Sequence, residues 1–138
     1  MDFNQQIIDA FRTHGGDVQE PVAFGRTLIL VHIPRRDGSV RPQPLRNMPD
    51  GDAWMVAGSA GGSPRTPGWV HALRRVDEVD IEVPADPAPE TVRVRVEELE
   101  GAAYERAWGI FKETEPGFAA YEEQAGGRRI PVFRFTRI

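Results

Sequence analysis

Three arginines surround one Asp-Gly pair in the stretch "IPRRDGSVR", residues 33–41. Guanidinium forks grip phosphate and carboxylate oxygens through paired hydrogen bonds. Successive backbone N–H groups in a tight turn add an anion-binding concavity. Arg35, Arg36 and Arg41 around Gly38 therefore suit an anion. The competing reading is a solvated hairpin in which Asp37 neutralises one arginine. A second candidate is "SAGGSPRTPGW", residues 59–69. Thr66 is a favoured N-cap and Pro67 suits a first helical position, so a helix starts here. Its free N–H groups and dipole favour an anion or an electron-rich carbonyl. Gly61 and Gly62 allow close approach to the backbone. The competing reading is a capped helix meeting only water.

Other chemistries find no support. His14, His32 and His71 lie far apart with no ligand spacing around them, so no metal centre is expected. The absence of cysteine removes disulfides, thiolate catalysis and cysteine zinc sites. No nucleophile elbow, Walker loop or dinucleotide glycine motif is present. A net charge of −4 argues against nucleic acid as a partner. The charge is segregated, however. Residues 26–46 hold five arginines against Asp37 alone, and residues 76–100 hold nine acids against Arg93 and Arg95. Lys112 is the single lysine, and with so much Ala, Gly and Pro the composition fits a high-GC, actinobacterial-like genome. No run approaches the roughly 20 apolar residues of a membrane span, and the N-terminus lacks a signal-peptide pattern. A reducing cytoplasm is the default location.

The elements that must position these residues are legible. Phe3, Ile7 and Phe11 recur at helical spacing, which predicts a short amphipathic helix ending near "HGG". Its flanks are not basic, so it is expected to pack on the domain rather than on a membrane. Residues 27–33 read as a buried strand, and "SVRPQPL" as an edge or bulged strand because of Pro42 and Pro44. "MPDGD" reads as a turn and "AWMVAGS" as a strand, giving a three-strand meander over residues 27–59. A helix carrying Trp69, Leu73 and Val76 follows, then half-buried strands in "VDIEV" and "TVRVRVEEL". "AAYERAWGIFKETE" and "GFAAYEEQ" read as helices, and "RIPVFRFTRI" as a closing strand. With 138 residues and 40% hydrophobic content, a single α+β domain over 1–138 is expected: a small barrel of about six antiparallel strands with helices packed around it.

Most of the chain resembles the deazaflavin-dependent nitroreductase family, whose fold is an FMN-binding-like split β-barrel. The resemblance rests on "VHIPRRDGSVRPQPL", on "GSAGGSPRTPGWVHAL", and on Pro116, Phe118, Tyr121 and "RRIPV" at 128–132. It implies a reductase that uses coenzyme F420, an 8-hydroxy-5-deazaflavin, to pass a hydride to a quinone, nitroaromatic or activated enone. It also implies roles. Arg35, Arg36 and Arg41 would hold the phosphate and glutamate tail, and Gly38 and Pro44 would also belong to the coenzyme site. Ser59, Gly61, Gly62, Gly68 and Trp69 would face the ring. Phe118, Tyr121 and Arg46 would line the acceptor pocket, with Tyr121 or water supplying a proton. The chain departs from the family pattern at Pro34, Asp37, Ser39, Ala60 and Ala72, and Arg46 and Glu115 stand where aromatics are common. These departures motivate the alternative, a diverged split barrel that has lost deazaflavin and serves as a biosynthetic enzyme or a small-molecule binder. The partner implied is a small-molecule acceptor, with the chain a monomer or homodimer.

Overall fold

The run beginning at Leu28 is apolar on both faces, and the strand it forms is buried on both sides. The computed structural model describes residues 2–59, 65–126 and 128–138. Helix α1 (Phe3–Thr13) leads into a first hairpin of β1 (Leu28–Pro34) and β2 (Val40–Arg46). A second hairpin joins β3 (Met48–Asp50) to β4 (Ala53–Ala57). Helix α2 (Gly68–Leu73) precedes β5 (Glu78–Val83) and β6 (Glu90–Glu98). Helices α3 (Gly101–Thr114) and α4 (Gly117–Gln124) precede β7 (Val132–Arg137). No helix among the described residues is long and apolar enough to cross a membrane.

All seven strands form one antiparallel sheet in the order β2-β1-β5-β6-β7-β4-β3. The edge strands β2 and β3 are separated in the chain by Asn47 alone. Consecutive Cα atoms lie about 3.8 Å apart, so the two edges of the sheet must come side by side. The sheet therefore curls into a barrel. No ladder among the described residues joins β2 to β3, so the barrel is split along that seam. This corrects the expected meander over residues 27–59. The chain leaves β2 through Asn47 for the opposite edge rather than turning back, and β4 pairs with β7 instead of β2. "MPDGD" contributes a short strand as well as a turn, which raises the count from about six strands to seven.

Alternation along the strands sorts the core. Ile29, Val31, Ile81, Val94, Phe133 and Phe135 fill the barrel interior. Outside, α1 lays Ile7, Ile8 and Phe11 on Leu28 and Leu30. On the other flank α3 sets Tyr104, Trp108 and Phe111 against Met55 and Val132. The expectation that β5 is half-buried fails at Glu82, which is only 7% exposed because α1 covers that outer face. Arg12 crosses from α1 to bind it, Nε to Oε1 at 3.0 Å and Nη2 to Oε2 at 2.7 Å, and His32 Nε2 lies 2.8 Å from Oε2.

Burial pushes the Glu82 carboxyl up, but hydrogen bonds from Arg12 and His32 outweigh it and hold the carboxyl below its ordinary value. A depressed carboxylate pKa contributes stability that is present above the unfolded-state value and is lost as pH falls through the folded one. Glu82→Gln is expected to cost about 1–2 kcal/mol at neutral pH, discounted for the half-exposed Arg12. Urea midpoints measured against pH should show the gap to the parent protein closing as the solution is acidified below about 4.5, the ordinary value for this carboxyl. A gap that does not change with pH would show the ion pair is not its source.

Candidate functional site

The arginine turn is an ordered hairpin. Arg35 N donates to Ser39 O at 2.8 Å and Gly38 N to Arg35 O at 3.1 Å. Gly38 sits at φ 89°, a conformation that side-chain-bearing residues rarely adopt. Asp37 does not face the arginines as a bare charge. Its Oδ1 accepts from Ser39 Oγ at 2.6 Å and from Ser39 N at 2.9 Å. These two bonds, the hydroxyl's first, hold the Asp37 carboxyl below its ordinary value, and Arg35 adds a smaller attraction. Arg36 and Arg41 make no ion pair with any described residue.

A cavity of about 480 Å³ opens beside this turn. Pro44, Leu45 and Arg46 of β2 form one wall, and Ala57 and Ser59, at the end of β4 and just beyond it, form another. Trp69 of α2 and Phe118 and Tyr121 of α4 supply aromatic surface, and Phe3 and Ile7 of α1 close a further side. A cleft of about 290 Å³ adjoins it, lined by Arg35, Arg36, Arg41 and Arg75 with Gly68 beside them. Gln43 and Trp69 line both. On its far side Arg35 and Arg41 also border a hollow of about 390 Å³ against the start of α1.

The surrounding packing fixes these walls. Gly58 N donates to Pro131 O at 2.8 Å. A Cβ at Gly58 would lie 2.7 Å from Val70 Cγ2, so only glycine lets β4 pass this close to α2. Arg128, the arginine of the "RRIPV" ending, donates to Gly58 O and Ser59 O, each at 3.0 Å. Tyr121 stands edge-on to Phe118 at 5.7 Å between centroids, and its hydroxyl has no hydrogen-bond partner among the described residues. Arg46 is ion-paired with Glu115, the residue that ends α3.

Pro44, Arg46, Ser59, Trp69, Phe118 and Tyr121 thus share the cavity, and Arg35, Arg36, Arg41, Gly68 and Trp69 share the cleft. Gly38 shapes the hairpin tip and borders none of the three hollows. Gly61, Gly62 and Ala60 lie outside the described residues. Thr66 is not the N-cap. Pro67 takes that position, no side chain caps the helix, and α2 has only six residues, so its terminal dipole is modest. Sequence reasoning missed Arg75, Gln43 and the wall given by α1. Arg74 and Arg75 are adjacent in sequence and part ways in space: Arg74 is held by both oxygens of Glu98, while Arg75 borders the cleft. No local pattern announces that division.

An apolar, aromatic chamber that shares Gln43 and Trp69 with a four-arginine cleft fits a planar ring system carrying an anionic tail. The strand order and the unpaired seam between β2 and β3 define a split β-barrel. A sequence profile of the F420H(2)-dependent quinone reductase family matches residues 4–136, and the chain belongs to that family. It is 30% identical over 128 residues to an F420H(2)-dependent quinone reductase of Mycobacterium tuberculosis, covering 92% of this chain and 85% of that one. Among solved structures it resembles an F420-H2 dependent reductase, FDR-A, with 25% identity, a TM-score of 0.69 and coverage of 80% and 95%. A protein solved as a domain-swapped dimer shares the fold at a TM-score of 0.70 with 24% identity, covering 96% and 93%. The family is one of oxidoreductases that use coenzyme F420, and these matches do not favour a barrel that has abandoned it.

Replacing Gly58 tests the wall directly. Gly58→Ala is expected to push β4 from α2, lowering stability by about 1–3 kcal/mol through overpacking and weakening coenzyme binding. Thermal melts and fluorescence titration with the oxidised coenzyme would check both.

Proposed function

We propose that the two neighbouring hollows bind coenzyme F420, with the ring in the chamber beside Ser59 and Trp69 and the phosphate tail in the cleft beside Gly68, among Arg35, Arg36, Arg41 and Arg75. The remaining space, between α1, β2 and α4, takes a quinone, nitroaromatic or activated enone. The observation that carries this reading is that Gln43 and Trp69 line two neighbouring hollows, one apolar and one basic. When bound, the reduced coenzyme supplies a hydride. The chain's own residues do the rest. The guanidiniums hold the tail through charge-assisted hydrogen bonds, each worth about 1.5–3 kcal/mol and weakened by salt at this exposed surface. Trp69, Phe118 and Tyr121 exclude water from the reacting faces. The Tyr121 hydroxyl, otherwise unpartnered, is placed to give the acceptor a proton, with solvent as the other source. The protein acts as a cytoplasmic oxidoreductase on a small molecule, as a monomer or homodimer.

The charge balance of the tail site supports the reading. Asp37 and Ser39 depart from the family pattern at this turn, but Ser39 engages the Asp37 carboxylate and Arg75 brings a cation from another element. Titration with the oxidised coenzyme is expected to show binding at or below the order of tens of micromolar, and its absence would overturn the proposal. Arg75→Ala is expected to weaken binding roughly tenfold, the loss of one charged hydrogen bond. The same variant should bind a deazaflavin lacking the phosphate tail as well as the parent does.

A further inference from the structure

Arg46 is the one charged side chain among the described residues lining the apolar cavity. It is part-buried, with its side chain 31% exposed, and it is held from behind by Glu115, which does not border the cavity. Its Nη1 donates to the Glu115 carboxylate, and its Nε makes only a long contact of 3.4 Å to Asn47 O. Nη2 has no partner among the described residues. A donor-bearing cation is therefore presented to the chamber that also holds the Tyr121 ring.

Reduction of a quinone or enone produces charge that such a group stabilises. The acceptor takes a hydride from the reduced coenzyme, and with it two electrons. The carbonyl π pair moves onto oxygen as a phenolate or enolate. A proton from the Tyr121 hydroxyl or from water then completes the reduction. Hydrogen-bond donors aimed at the oxygen where charge develops lower the barrier, and most strongly in an apolar chamber. An apolar pocket for a neutral ring needs no guanidinium. The geometry points to Arg46 as the residue that binds the acceptor's oxyanion, with Glu115 setting its strength, and so to acceptors that bear an acidic hydroxyl beside the reducible carbonyl. This inference rests on the cavity being the acceptor site.

The two members of the ion pair give opposite predictions, which a merely structural bridge would not. The probe is a hydroxynaphthoquinone whose ionised form is coloured, titrated at neutral pH into the protein saturated with oxidised coenzyme. Arg46→Gln is expected to weaken binding of the anion by about tenfold or more, the loss of a charged hydrogen bond. Glu115→Gln, which removes the competing negative charge, is expected to tighten it severalfold. Arg46→Lys keeps a cation at the position and should fall between the parent and Arg46→Gln. Coenzyme affinity, measured separately, should be unchanged in all three. Equal weakening by Arg46→Gln and Glu115→Gln would reduce the pair to a brace and overturn the inference. Binding indifferent to all three substitutions would also overturn it while leaving the acceptor cavity standing. Failure of the parent to bind the probe, with the coenzyme bound, would overturn the inference, and failure to bind the unsubstituted naphthoquinone as well would overturn the cavity reading with it. If Arg46→Gln does not fold, Glu115→Gln still decides: tighter binding supports the inference and weaker or unchanged binding overturns it.

Discussion

One residue joins the two edges of the sheet, and the geometry of the site follows from that constraint. Asn47 stands between β2 and β3, and its N–H is tied to Thr27 O at 2.7 Å. Edge strands so connected cannot lie at opposite ends of a flat sheet, so the sheet curls. Closure into a continuous barrel is prevented by composition. Pro42 and Pro44 on β2 and Pro49 on β3 offer no N–H, and proline is tolerated in a sheet only where that missing donor faces away from a ladder. Both edges that meet at the seam are thus poor in donors. The cavity beside β2 takes its other wall from Ala57 and Ser59, at the end of β4 and just beyond it, and from no residue of β3.

The charge segregation seen along the chain acquires a purpose in space. Acids from residues 76–100 serve as partners for arginines that fasten the structure: Glu82 for Arg12, Glu98 for Arg74, Glu78 and Asp80 for Arg93, and Glu90 for Arg137. The cleft arginines Arg36 and Arg41 receive no such partner among the described residues, and the turn's own carboxylate, Asp37, is engaged by Ser39. A chain of net negative charge can therefore still carry a local basic cleft. The outer helices use the same device: Asp50 receives both Arg106 of α3 and Arg134 of β7, and those bonds hold its carboxyl below the ordinary value.

The elements themselves were legible where the local pattern was strong. The spacing of Phe3, Ile7 and Phe11 located α1, and "GFAAYEEQ" coincides with α4. The arginine turn and the aromatic pair Phe118 and Tyr121 stood out by residue type and by resemblance. What escaped sequence reasoning depends on contacts between distant segments. The strand order was missed because the pairing of β4 is decided by β7, some eighty residues further on. The buried Glu82 reads as the polar face of an alternating strand until α1 is laid over it. Thr66 was read as a cap by local preference, yet the helix begins one residue later without a side-chain cap. Arg75 and the α1 wall enter the site only through tertiary placement.

The two hollows draw on different parts of the chain. The basic cleft takes its arginines from one hairpin and from Arg75 just past α2, whereas the apolar cavity borrows walls from α1 and α4, which pack on the outside of the barrel. Substitutions at Phe3, Ile7, Phe118 or Tyr121 alter one chamber while the arginine cleft keeps its residues. Such a division lets a lineage reshape the cavity by drift in its outer helices while its basic cleft stays intact, and gives a laboratory library the same freedom.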